Sequence, residues 1–184
     1  MGWLELKEKR IELLKELIRK KKFRNYLVNK RYLIAIDGTQ KLYRGYKWAD
    51  ECLERHVSSK KIPQYYAYVL EAVLVLDNGM VLPVMSEILR NKEYRDITEK
   101  QDCERRAFYR LAKRIKSSFP KLKVSVVMDG FYACGPVVRV CRENNWDYML
   151  VLKEDGLKSV WHEATGLMRL APENSTMYQW DDRK

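Results

Sequence analysis

The sequence predicts an α/β fold in which a mixed sheet is flanked by helices. Two short β-branched runs, residues 32–36 and 124–128, have the length and composition of buried strands. Two extended runs, 66–76 and 80–87, are joined by Asp77-Asn78-Gly79, which is a strong hairpin signal. Helical patterns separate the later strands, as is typical of β-α-β units. An antiparallel hairpin followed by such units gives a mixed sheet.

The first element is predicted to be a basic amphipathic helix over residues 3–22. The apolar side of this helix consists of Leu4, Ile11, Leu14 and Ile18, widened by Leu6, Leu13 and Leu17. This side must pack on the body of the domain or on a partner. A strand is predicted over 32–37. The polar, aromatic stretch from about 39 to 64 is too long for a plain connection and is predicted to be a functional loop or an insertion.

The second half of the chain alternates between helices and strands. Thr98 and Gln101 have the spacing of a capping box, which predicts a helix from there to about 117. A strand over 124–128, a helix over 136–143, a strand over 147–153 and a helix over 155–167 follow. This order places the first strand centrally, beside the strand at 124–128, in a ribonuclease-H-like arrangement. We expect a basic helix at 1–30, a core at 31–170, and the start of an inserted region or a disordered tail at 171–184.

The charge of the chain suggests a polyanionic partner. The formal net charge is +11, and residues 1–31 carry 11 Lys/Arg against 4 Glu. This asymmetry predicts contact with nucleic acid, although a solvated basic helix would have the same composition. Between 39 and 64, aromatic residues alternate with cations, which suits either base stacking or packing over the sheet edge. The predicted DNA-binding residues are Lys20, Lys21, Lys22, Arg24, Lys30, Arg31, Lys60 and Lys61.

The four cysteines do not form a recognisable metal or disulfide motif. They are scattered, without a Cys-x-x-Cys pair, and the charged N-terminus is unlike a signal peptide. A zinc site built on Cys52 and His56 would need further ligands. We therefore expect an intracellular protein with reduced thiols.

Two aspartates follow the two predicted core strands. Asp37 and Asp129 each come directly after a buried strand, and each precedes a glycine. Carboxylates at the ends of neighbouring strands are rigidly held and exposed, which suits the binding of Mg²⁺ or Mn²⁺ against a phosphodiester. The alternative is that both aspartates merely cap the following turns.

Four motifs resemble the catalytic domain of bacterial DDE transposases of the insertion-sequence 4 kind. They are Ile-Asp-Gly-Thr (36–39), the hairpin run at 64–75, Glu-Lys-Gln-Asp-Cys-Glu (99–104) and Met-Asp-Gly-Phe-Tyr-Ala (128–133). The resemblance covers roughly residues 31–161. It implies DNA cleavage and strand transfer with two divalent ions, with Asp37 and Asp129 as the first two catalytic and metal-binding acids.

The third acid that the resemblance implies is a later Glu in a Tyr…Arg…Glu…Lys pattern, which the sequence lacks up to Lys184. We therefore expect a truncated core with little activity. Asp102 and Glu104 are candidate substitutes, because ribonucleases H take a ligand from the helix after the hairpin, and Glu87 at the end of the second hairpin strand is another nearby acid. The alternatives are a non-catalytic DNA-binding remnant and a metal-dependent nuclease of the same fold. The expected partners are element ends and target DNA in the bacterial cytoplasm, at the nucleoid, with a homodimer left open.

Overall fold

The computed structural model describes residues 3–55, 63–90, 102–152 and 157–174, which form an α/β fold with a mixed, open sheet of six strands and four α-helices. The helices are α1 (Trp3–Arg19), α2 (Glu104–Ser118), α3 (Gly135–Glu143) and α4 (Lys158–Leu170). The strands are β1 (Tyr32–Arg44), β2 (Leu53–Arg55), β3 (Gln64–Val75), β4 (Val81–Ile88), β5 (Val124–Met128) and β6 (Asp147–Leu150).

The sheet is centred on β1. Strand β1 pairs antiparallel with β3 on one side and parallel with β5 on the other, and β5 pairs parallel with β6. On its far edge β3 pairs with β4 and, near its start, with β2. The predicted hairpin and the predicted central position of the first strand are therefore confirmed.

The predicted loop at 39–64 was wrong for its first residues. Strand β1 continues to Arg44, well past Asp37, because its backbone bonds to β3 run as far as the pair Arg44 and Tyr65, with an irregularity after Lys41. The short strand β2 also lies within this stretch. Sequence patterns missed both, because residues 39–44 are polar and exposed and show no buried face.

The core lies between one face of the sheet and helices α2 and α3. Strand residues at alternate positions are buried there, among them Ile34, Ile36 and Leu70, and α2 contributes Phe108 and Leu111. This alternation is the normal consequence of the side-chain period of a strand. The opposite face of the sheet, which carries Asp37, is less buried.

Helix α1 packs on the body of the domain through a narrower face than predicted. Leu14 is buried in the common core, with Ile11, Leu17 and Ile18 packed around it. Leu6 and Leu13, which the sequence analysis placed on the apolar side, are exposed. The chain then turns through Arg24–Tyr26 into β1.

The remaining boundaries differ by a few residues. Helix α2 begins at Glu104 after Cys103, and the predicted capping box of Thr98 and Gln101 lies outside the described residues. Helix α4 extends to Leu170 rather than to 167, and β6 ends at Leu150. None of the described helices has the length and apolar character needed to cross a membrane.

Candidate active site on strands β1 and β5

The two predicted aspartates lie on one face of the sheet, Asp37 within β1 and Asp129 directly after the adjacent strand β5. The parallel register pairs Ala35 of β1 with Val127 of β5, so Asp37 and Asp129 stand two residues further along their strands, opposite each other. Adjacent strands are about 4.8 Å apart, and residues two apart lie on the same face. Both side chains are exposed. The sequence-predicted pairing of these two carboxylates is therefore supported by the register.

A third carboxylate, Glu71, extends this pair into a row. The antiparallel register places Glu71 of β3 directly opposite Asp37. Side chains in such pairs lie on the same face, with Cβ atoms about 5 Å apart, and like charges there repel. The Lys41 ammonium lies 3.3 Å from Glu71 Oε1 and compensates the repulsion. We call Glu71, Asp37 and Asp129 the acid row.

Sequence reasoning missed Glu71, since only the register of β1 against β3 brings it to Asp37. An acidic residue within the otherwise apolar run at 64–75 was the available signal. It is a charged residue at a position where the pattern predicts a buried strand, and such an exception often has a functional or electrostatic reason.

Asp129 is fixed by the turn that follows β5. Its Oδ1 accepts a hydrogen bond from the Phe131 backbone N–H at 3.0 Å and thereby caps the short helix Gly130–Tyr132. The Arg105 guanidinium lies 5.0 Å from the centre of the exposed Phe131 ring. Lys41 on β1 thus pairs with one member of the acid row, and Arg105 on α2 lies against the turn that holds another.

On the opposite face of the sheet, Glu104 is held by two tyrosines beneath β1. The Tyr68 hydroxyl donates to Glu104 Oε1 at 2.5 Å, and the Tyr132 hydroxyl donates to Oε2 at 2.8 Å. We call Tyr68, Glu104 and Tyr132 the Glu104 cluster. It joins β3, α2 and the turn after β5 through one carboxylate.

The Glu104 cluster lies directly against the residue that follows Asp37. A Cβ atom built on Gly38 would come within 2.6 Å of Tyr68 and 3.0 Å of the Glu104 carboxyl carbon. The glycine is therefore required by close approach, because any side chain here would displace the cluster. Cluster and acid row are coupled through the backbone of β1.

Burial and the carboxylate raise the pKa of both tyrosines. For Tyr132 the larger cause is burial in the core, and the hydrogen bond to Glu104 adds to it. The same two causes raise the pKa of Tyr68, again with burial first. Both hydroxyls are therefore protonated donors at neutral pH, and Glu104 is held as their acceptor.

The other two candidate acids belong to an ion-pair network away from the acid row. Asp102, whose side chain is fully buried, receives two hydrogen bonds from Arg110, of which the Nη2–Oδ2 bond measures 2.6 Å. Glu87 accepts from Arg110 at 2.7 Å and also pairs with Arg114. This network fastens α2 to the end of β4, so we interpret Asp102 and Glu87 as structural residues.

The predicted DNA-binding residues at 20–31 lie at the other end of the sheet. Tyr32 begins β1 and Asp37 lies five residues along it, which corresponds to about 17 Å at roughly 3.3 Å per residue. Lys20, Lys21, Lys22, Arg24 and Lys30 are exposed there. Arg31 pairs with Asp147, while Lys60 and Lys61 lie outside the described residues. The structure does not bring this basic segment to the acid row.

The two aspartate carboxylates fit a divalent cation in part. Within the ranges that the structure describes, no three His, Cys, Asp or Glu side chains form a group that could hold a metal ion. Mg²⁺ nevertheless commonly binds only one or two carboxylates and keeps several waters as its other ligands. Asp37 and Asp129 can supply those two carboxylates. Cys52 is buried, and the predicted partner His56 lies outside the described residues.

No protein-family model matches the chain, and no curated protein is significantly similar to it. The geometry of the site and the motif resemblance therefore carry the functional proposal.

Proposed function

We propose that this chain is a ribonuclease-H-like catalytic core of a DNA transposase of the insertion-sequence 4 kind, with Asp37 and Asp129 as metal-binding acids. The observation that carries the proposal is the register of adjacent parallel strands, which places Asp37 within β1 opposite Asp129 directly after β5. The strand order supports it, because a central first strand between an antiparallel hairpin and two parallel strands is the order expected of that fold.

Electrostatics give the two aspartates a reason to bind a cation. Two carboxylates about 5 Å apart repel by roughly 1–3 kcal/mol for an effective dielectric constant between 80 and 20. A divalent ion between them would replace this repulsion by attraction. Asp129 is already oriented by its bond to the Phe131 N–H, so part of the ordering cost is met before an ion arrives.

In the proposed reaction, the residues of the chain hold and orient the phosphodiester. Bound at Asp37 and Asp129, divalent ions would supply Lewis-acid activation of the attacking hydroxyl and neutralise charge on the phosphate. Lys41, which pairs with Glu71, and Arg105, which lies against Phe131, would attract the DNA backbone. The Glu104 cluster would keep Gly38 and the turn after β5 in place, and with them the two aspartates.

The test is a calorimetric Mn²⁺ titration of the wild type, Asp37→Asn and Asp129→Asn. We expect binding in the wild type, its loss in Asp37→Asn and a reduction in Asp129→Asn. Asp77→Asn is the matched control, because Asp77 is an exposed aspartate in the β3–β4 turn, and it should bind like the wild type. Absence of binding in a folded wild type would refute the metal site and leave the non-catalytic DNA-binding remnant as the better interpretation.

A nuclease of the same fold is the second candidate, favoured by the position of Glu104 against Gly38. Both Glu104 oxygens accept hydrogen bonds from tyrosines, which argues for a positioning role instead. Nicking of supercoiled plasmid that Asp129→Asn and Glu104→Gln both abolish, without any strand joining, would favour the nuclease.

A further inference from the structure

A groove lies between α1 and the connection from α2 to β5, near the start of β5 and remote from the acid row. Its volume is about 690 Å³, and its cationic lining residues are Lys15, Arg19 and Lys121. Lys15 and Arg19 are one helical turn apart and therefore project from the same side of α1. The hydroxyl-bearing Ser117 and Ser118 line the facing wall. We call this the basic groove.

The charge around the basic groove is strongly one-sided. The two segments that border it, residues 15–24 and 116–123, contain nine Lys/Arg and a single acid, Glu16. Glu16 is already engaged by Lys20, at 2.5 Å. The groove lining itself contains no acidic residue among those that the structure describes. Most of the excess positive charge of the chain thus lies in the two segments that border the basic groove.

The helix termini do not account for this charge. Helices α1 and α2 both end at the groove, and a helix C-terminus attracts cations because it carries roughly half a negative charge. Two such ends offset about one of the nine positive charges. The remaining positive charges repel one another unless an anion is bound, so a polyanion is the complementary ligand.

We propose that the basic groove binds the phosphodiester backbone of DNA at a second site, separate from the acid row. This inference rests on the proposed function, since it takes DNA as the substrate. The lysines and Arg19 would neutralise phosphates, and the two serine hydroxyls can donate to phosphate oxygens. Because these groups contact the backbone and no base edges, binding there is independent of sequence.

The position of the groove determines which part of the DNA it contacts. Strand β5 begins at Val124, next to the groove, and Asp129 lies five residues further, about 17 Å away along the strand. That distance is roughly five base-pair steps of duplex. The groove therefore contacts DNA remote from the phosphate at the aspartates, either on the same duplex or on a second one.

The test is DNA binding in EDTA, measured by fluorescence anisotropy over a range of salt concentrations. The probe is a 30-base-pair duplex of arbitrary sequence, and the variant is Lys15→Gln/Arg19→Gln/Lys121→Gln. All three side chains are exposed, so the fold should tolerate their replacement, which circular dichroism checks. Each lost phosphate contact reduces the salt slope by about 0.9, so we expect a reduction of about 2.7 and a loss of affinity of up to several hundred-fold at 0.1 M salt.

The control removes the same charge elsewhere, by Lys113→Gln/Arg139→Gln/Arg169→Gln at exposed positions outside the groove. Its slope should change by less than one. An equal loss of DNA affinity in both variants, or no loss in the groove variant, would overturn the proposal. Tighter binding of a labelled acidic peptide than of a DNA duplex of equal charge would also overturn it. Because EDTA removes divalent ions, failure of the metal site leaves this result untouched, whereas a wild type without salt-sensitive DNA affinity refutes both proposals.

Discussion

Replacing Gly38 by alanine is expected to destabilise the protein by displacing the Glu104 cluster. The new methyl group would lie 2.6 Å from both Cε1 and the hydroxyl oxygen of Tyr68. Ordinary contact begins near 3.4 Å, so the ring must move by roughly 0.8 Å. The ring is not free to move, because its hydroxyl is bonded to Glu104, which also accepts from the buried Tyr132.

The cost follows from two effects. Overpacking of a well-packed site costs about 1–3 kcal/mol. If the Tyr68–Glu104 bond breaks, the loss of a hydrogen bond to a charged group adds about 1.5–3 kcal/mol. We therefore expect Gly38→Ala to lower the free energy of unfolding by about 1–3 kcal/mol if the bond survives and by about 2.5–6 kcal/mol if it breaks. For a chain of this size these losses correspond to drops in Tm of about 2–12 °C and about 5–24 °C.

The assay is urea denaturation followed by circular dichroism, with calorimetry for Tm. Gly45→Ala is the matched control, because a Cβ atom there meets nothing within 4 Å. It should be neutral, or stabilising by up to about 1 kcal/mol through the unfolded state. In a Tyr68→Leu background the two closest atoms are gone and only the Glu104 carboxyl carbon at 3.0 Å remains, so Gly38→Ala should cost less. Equal stability of Gly38→Ala and Gly45→Ala would refute the close approach.

Two further predictions concern the ion-pair network and the tyrosines. Asp102→Asn removes the fully buried charge that the Arg110 guanidinium binds, so we expect the free energy of unfolding, measured by urea denaturation, to fall by about 3–5 kcal/mol. The exposed Asp77→Asn should change it little. Similar urea midpoints for the two variants would contradict the structural role of Asp102. Because the pKa of Tyr132 is raised in the folded protein, its contribution to stability is complete below about pH 10 and is lost as the pH rises further. Above about pH 10 the wild type should thus lose stability more steeply than Tyr132→Phe, whereas below pH 10 the two should change in parallel. Parallel losses above pH 10 as well would contradict the prediction.

Much of the fold follows from local patterns in the sequence. The hairpin at Asp77-Asn78-Gly79 and the strand Val124–Met128 could be predicted because turn chemistry and an apolar β-branched run are local signals. The polar end of β1 could not, since its pairing with β3 depends on the backbone of a distant segment. The narrower apolar face of α1 has a similar cause. Leucines on neighbouring faces of a helix look alike until a partner surface covers one of them.

The candidate site likewise has features that the sequence alone predicts and features that depend on the tertiary structure. The sequence by itself determined that Asp37 and Asp129 each follow a β-branched run and precede a glycine. The expectation that the first strand ends at Asp37 was wrong, because β1 continues to Arg44. Only the tertiary structure decided that Glu71 joins them, that Glu104 is held by two tyrosines, and that Asp102 and Glu87 are bound by arginines. The physical reason is that a β-branched run is a local feature, whereas the partner of a carboxylate is set by register and helix packing between residues far apart in the chain.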